Sequence, residues 1–224
     1  MNTLSRALAV AILLGMILLG IGAVLHPMLD GTPEQQLRTI TAMPFWRTMH
    51  LLMLAGSGLL IAGVWVRMVG DHTAATTFNG PLIASLALIS LGLAINSLNI
   101  GFMAGAGTYM AEQFAAGRAE MAPLFYVTHP IGLIAARIGN LIVALGALAL
   151  GWVEWQDARR PRWIAWLAWA AGVGGIIGVV FFDEASRLAL AAVALLSGWE
   201  LATALLSFRA ERRRRGVEES PSSR

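Results

Sequence analysis

Two histidines pose the chemical question. His50 and His129 each stand six residues beyond a proline, Pro44 and Pro123, near the start of a long apolar run. Six residues of α-helix rise about 9 Å, so the two imidazoles are expected at similar depth on helices running in the same direction. Paired imidazoles at one level of a helical bundle suit the axial faces of a haem b, or a single copper, iron or zinc ion. His26 ends the first apolar run, ahead of Pro27, and is the third candidate. If the site holds a metal ion rather than haem, Asp30 joins it.

Other polar residues fall where they would serve such a site. Arg47 precedes His50 by three residues and so lies on a neighbouring face, suited to a propionate or another anionic group. Arg38 and Arg118, in the flanking loops, could do the same. Asn96 and Asn99 are three apart on one face of an apolar run, with Met103 a further turn along. Asn140 follows His129 by eleven residues, three turns, and shares its face. These three asparagines are the candidates for tuning the site. Arg137 flanks Asn140, and a charge within hydrocarbon calls for a partner. Glu200, on the last apolar run, is the acid expected to pair with it. The bland alternative is that histidines near a membrane surface only hydrogen-bond a carbonyl or a lipid headgroup. His72, beside Asp71, reads as a solvated loop residue, and the ten methionines are assigned to packing and lipid-facing positions.

The elements that must position these residues are membrane spans. Of 224 residues, 57 % are hydrophobic and 13 % charged; soluble domains carry about 25 % charge. Six apolar runs are drawn at Leu4–Leu25, Phe45–Val69, Pro81–Met103, Pro123–Trp152, Trp163–Phe182 and Ala185–Phe208. Each is about 20 residues or more, the length of helix that crosses ~30 Å of hydrocarbon. The predicted fold is all-α: a six-helix transmembrane bundle over residues 1–208 and an Arg-rich, disordered tail over 209–224. Arg6 followed by an apolar run resembles a signal peptide, but the run is long and no small-x-small site follows, so it is read as a retained span.

All 16 basic residues are arginine. With the N-terminus in the cytoplasm, eleven fall on that side and four (Arg38, Arg47, Arg118 and Arg187) on the other. Both termini are therefore expected in the cytoplasm of a bacterial-type inner membrane. The four histidine-side arginines then sit with His26, His50 and His129 at the extracytoplasmic face. Thr32-Pro33-Glu34 reads as a helix start, with Thr32 the N-cap of a short surface helix to Ala42. The stretch 105–121 is expected to form a second such cap. Trp46, Trp152, Trp155, Trp163 and Trp166 fall at span ends, as an aromatic belt would. Ala171/Gly175 and Gly174/Gly178 are small-xxx-small pairs, for contact within the chain or across a homodimer.

Several chemistries are excluded. Without cysteine there is no disulfide, iron–sulfur cluster, cysteine zinc site or covalently attached haem. No glycine-rich phosphate loop, G-x-S-x-G or H-E-x-x-H occurs. Nothing suggests nucleic-acid binding. Three functions remain. The first is a haem b or copper-type centre for electron transfer, to or from quinone within a larger membrane complex. The second is a cofactor-free structural or assembly subunit. The third is a small-molecule or proton-coupled transporter using Arg137, Glu200 and Asn140. No enzymatic activity is assigned.

Overall fold

The computed structural model of the chain describes residues 3–181, apart from 28, 75–79, 159 and 160, together with Ala202. The sixth predicted span with its Glu200, and the tail 209–224, lie outside the described residues. The rest is helical: α1 (Thr3–Leu25), α2 (Pro33–Ala42), α3 (Trp46–Ala74), α4 (Gly80–Phe102), a π turn (Met103–Gly107), α5 (Thr108–Ala115), α6 (Met121–Gln156) and α7 (Arg162–Phe181). No strand occurs among the described residues.

Four stretches are long and apolar enough to cross a membrane: Trp46–Trp65, Gly80–Ala115, Met121–Gln156 and Arg162–Phe181. In α1 the apolar stretch Val10–Gly22 is shorter. The outward faces of these helices are apolar. Leu51, Leu91, Leu98, Ile131, Ile134 and Val173 are all exposed, while Ser57, Ser85, Ser90 and Glu154 are buried. Such broad apolar exposure is what a lipid-facing surface requires. The hydroxyls of Ser85, Ser90 and Ser97 donate to the carbonyls of Pro81, Leu86 and Leu93 one turn back. No hydroxyl among these three is left bare in a low-dielectric interior.

The long helices pack in the sequence α1–α3–α4–α6–α7, with α4 against α6 the most extensive contact. Glycines bring those two backbones together. A Cβ built on Gly92 would lie 2.5 Å from the Gly139 carbonyl oxygen, and one on Gly146 would lie 3.0 Å from that of Ser85. On α7 the residues that seat against α6 are Gly172, facing Leu148 and the Ala144 carbonyl, and Gly175, facing Ala144. The small residues of α7 thus serve a contact within the chain: Gly175 of the expected Ala171/Gly175 pair seats on α6, with Gly172 a turn before it and Ala171 buried.

Two apolar cores result. One, built on Leu60, Leu86, Ile89, Leu93, Val143 and Leu150, fills the middle of the bundle. The other joins Leu37 and Ile40 of α2 to Trp46, Met49, Met103, Met110 and Phe125 at one end. We refer to this as the cap end. The α2 helix starts as the sequence predicts. Pro33 occupies the first turn, and Thr32 and Gln35 exchange side-chain and backbone hydrogen bonds in a capping box.

One boundary differs. The third span was expected to stop near Met103, with a separate surface cap after it. The chain instead stays helical from Gly80 to Ala115, passing through the π turn. The reason is local. Thr108 carries both its amide N–H and its Oγ1 back to the Met103 carbonyl, five residues earlier, with the Oγ1 contact at 2.8 Å. A π turn absorbs one extra residue without ending the helix.

Candidate functional site at the cap end

The site grows from Trp46. Its side chain is 2 % exposed, so it is a core anchor and not the belt residue its position suggested. A buried indole needs an acceptor for its N–H. Trp46 Nε1 donates to the Met103 carbonyl at 3.3 Å, the same oxygen that Thr108 uses. The π turn on one helix thereby fixes the first turn of α3.

The backbone carbonyl of Trp46 then sets the next residue. His50 Nδ1 lies 2.9 Å from it, one turn on, with the ring buried. A carbonyl only accepts, so Nδ1 carries the proton and the lone pair stays on Nε2. Hydrogen bonding of one ring nitrogen to a backbone carbonyl is how metal-ligating histidines are commonly oriented.

His26 completes the arrangement. Its ring centre is 5.1 Å from that of His50, with the planes at 72°, and 4.9 Å from that of Trp46. Trp46 and His50 are 4.5 Å apart. Two imidazoles, one just past the end of α1 and one on α3, therefore share one indole. Burial holds the His26 pKa below that of a free imidazole, and a backbone contact with Pro27 works against this only in part. A neutral imidazole is the form that binds metal.

His129 approaches from α6. It is half-buried and stacks on Phe125, with ring centres 4.6 Å apart, beside Phe102 at 6.3 Å. Of the three candidate histidines, His26 and His50 are in ring contact, whereas the ring neighbours of His129 are Phe125 and Phe102. Among the described residues no three His, Cys, Asp or Glu side chains stand close enough together to hold a metal ion unaided. Asp30 and Arg47 are exposed.

The asparagines form a separate layer deeper in the α4–α6 seam. Asn96 Nδ2 donates to Asn140 Oδ1 at 3.1 Å. Asn99 lies against Gly132, one turn beyond His129, and its Oδ1 is buried with no hydrogen-bond partner among the described residues. Arg137 is half-buried on α6, and Glu200 lies outside the described residues.

Sequence reasoning missed Trp46 as the organiser, since a Trp near a span end reads as a belt residue. It also passed over the methionines. Met43, Met49, Met53, Met103, Met110 and Met121, six of the ten, gather in the cap-end core. It gave no role to Glu154, which is buried near the far end of α6. For Trp46 the available signal was His50 four positions on, one helical turn away.

No protein-family model matches the chain, and neither the curated proteins nor the solved structures hold a match to it.

Proposed function

We propose that this chain is a multi-pass integral membrane protein that binds a transition-metal centre between His26 and His50 at its extracytoplasmic end and serves electron transfer within a membrane assembly. The observation that carries the reading is the pair of rings at 5.1 Å, one of them locked with its Nε2 lone pair free. Two imidazoles bound to one ion at about 2.0–2.1 Å per nitrogen, in tetrahedral geometry, have ring centres roughly 5 Å apart. Axial ligands on the two faces of a haem are trans, at roughly 6 Å, with the macrocycle between them. The His26–His50 pair therefore favours a bare ion. A haem b would have to use His50 with His129 instead, with Arg47 near its edge. A donor other than His, Cys, Asp or Glu, or a ligand from outside the chain, would complete the shell around an ion.

The arginine distribution supports the orientation, with the cap end carrying Arg38, Arg47 and Arg118 on the arginine-poor side. The α2 helix then covers the site near the outer headgroups.

The test is metal analysis and an absorbance spectrum of protein purified in mild detergent. One equivalent of copper, zinc or iron in the wild type, lost in both His26→Ala and His50→Ala, is the expected outcome. A Soret band lost in His50→Ala and His129→Ala would move the centre to haem. Protein that stays metal-free after reconstitution with each ion, and shows no Soret band, would leave the cofactor-free structural role as the surviving reading.

A further inference from the structure

The metal preference of the cap end is readable from what surrounds the two imidazoles. The α1 and α3 helices run antiparallel there. Gly22 of α1 faces Met53 of α3, so closely that a Cβ on Gly22 would lie 2.6 Å from the Met53 sulfur. His26 follows Gly22 by one turn, and Met53 follows His50 by three residues on the same helix face. Met53 thus lies on the α1–α3 seam that carries both histidines, about one turn further into the bundle than His50, with its sulfur against Gly22. Above the rings lies the Trp46 indole, in contact with both.

Around this seam the core is rich in sulfur. Met49 and Met103 are buried beside Trp46, and Met43 packs on the same cluster. Thioether is a soft donor that selects monovalent copper and adds little for zinc, manganese or magnesium. Methionine is also the most adaptable apolar side chain, with three rotatable bonds to bring its sulfur to an ion. No carboxylate is needed to balance a single positive charge, and Asp30, the nearest acid in sequence, is exposed. Oxidation to the divalent ion would add a second charge in a buried, apolar place, so these donors hold the reduced ion more firmly and make the centre a strong one-electron acceptor.

We propose that the cap end is a copper(I) site whose ligands are His26, His50 and the thioether of Met53. This rests on the reading of the two histidines as a metal site and adds the third ligand and the ion. Trp46 is a positioning residue: its carbonyl orients His50, and its indole shields the open side of the ion.

The experiment is an anaerobic titration of the full-length protein in detergent with Cu(I), in competition with a colourless-to-coloured Cu(I) chelator. It is repeated with Zn(II) and a zinc indicator. Wild type should take up one Cu(I). Met53→Leu, which conserves volume and apolarity, should lower Cu(I) affinity about 10–100-fold, the range typical of losing a supporting interaction at a metal site. Zn(II) binding should change less than threefold. X-ray absorption of the Cu(I) form should show one sulfur and two nitrogen scatterers, the sulfur replaced by selenium in selenomethionine protein. Thermal melting of Met53→Leu without metal confirms that it folds.

The outcomes separate the two readings. If neither Cu(I) nor Zn(II) binds, the histidine metal site itself falls. If only Zn(II) binds, the two-histidine site stands and the copper assignment is overturned; if Cu(I) binds but Met53→Leu leaves its affinity unchanged, or no sulfur scatterer is seen, the thioether ligand is overturned.

Discussion

His26 occupies a place between an indole and a second imidazole, and its protonation state reports on that place. Burial lowers its pKa from the ordinary value. The folded state then binds its proton less readily than the unfolded chain does. The stability owed to neutral His26 is complete above the unfolded pKa of about 6.5, and is lost as pH falls through the lowered folded value. Metal-free protein should therefore melt at lower temperature as pH drops below the unfolded value of about 6.5. In His26→Phe, where the ring contact with Trp46 is kept and the titrating group removed, this acid limb should flatten. Melting curves of the two proteins between pH 4 and 8 provide the check. An identical acid limb in the variant would assign the effect to other groups. At this scale the sequence was partly legible. His50 and His129 stood out by spacing, and Asn96 and Asn140 by polarity in apolar runs, and those asparagines do bond to one another. His26 looked weaker because Pro27 and the loop edge obscured it. Its closeness to His50 depends on how α1 lies against α3, which no local pattern records. The methionines were invisible for the same reason: a Met reads as packing until its neighbours across the seam are known.

At the scale of elements, the α4–α6 seam carries the bundle. It has two supports, a glycine-lined backbone contact and a polar bridge. Gly92 has no space for a side chain, since an added Cβ would meet the Gly139 carbonyl and Val143. Gly92→Val should push the helices apart and cost about 1–3 kcal/mol or more, in line with overpacking. The Asn96–Asn140 bond is worth less. Interhelical hydrogen bonds in membranes average about 0.6 kcal/mol, up to roughly 2, so Asn140→Leu should destabilise by about 1 kcal/mol. Unfolding in mixed micelles ranks the two, and a larger loss in Asn140→Leu than in Gly92→Val would contradict the account of the seam. The helices themselves were legible because a run of about 20 apolar residues has only one way to satisfy its backbone in lipid. What the sequence hid was the joint at Met103–Gly107. The span was expected to end at Met103, whereas Thr108 and Trp46 supply donors to the Met103 carbonyl and keep the helix going. A helix end is decided by where its free backbone groups find partners, and one of those partners is 57 residues away.

Across the whole molecule, the two ends of the bundle differ in chemistry. The cap end gathers three histidines and the methionine-rich core. The opposite end of α6 and α7 gathers Trp155, Trp166 and Trp169, whose ring centres are 5.2–5.9 Å apart, with the Arg162 guanidinium 4.4 Å over Trp155. Trp152, Trp163 and Trp166 are exposed there, as a lipid-interface belt demands. An arginine stacked on a half-buried tryptophan beside exposed ones fits an anionic leaflet, and the arginines at 159–162 are the reason this end is expected to face the cytoplasm. The chain has no cysteine, which makes the orientation directly measurable. Glu112→Cys, exposed on α5 at the cap end, should react with a membrane-impermeant maleimide in intact cells. Ala158→Cys, exposed between α6 and α7, should react only after the membrane is opened. The reverse pattern would put the histidines in the cytoplasm, where the reducing glutathione pool competes for copper. In the expected orientation, His26, His50 and Met53 instead meet ions arriving from outside, and a site of neutral, soft donors beneath a short covering helix can take up a monovalent ion there without burying a counter-charge.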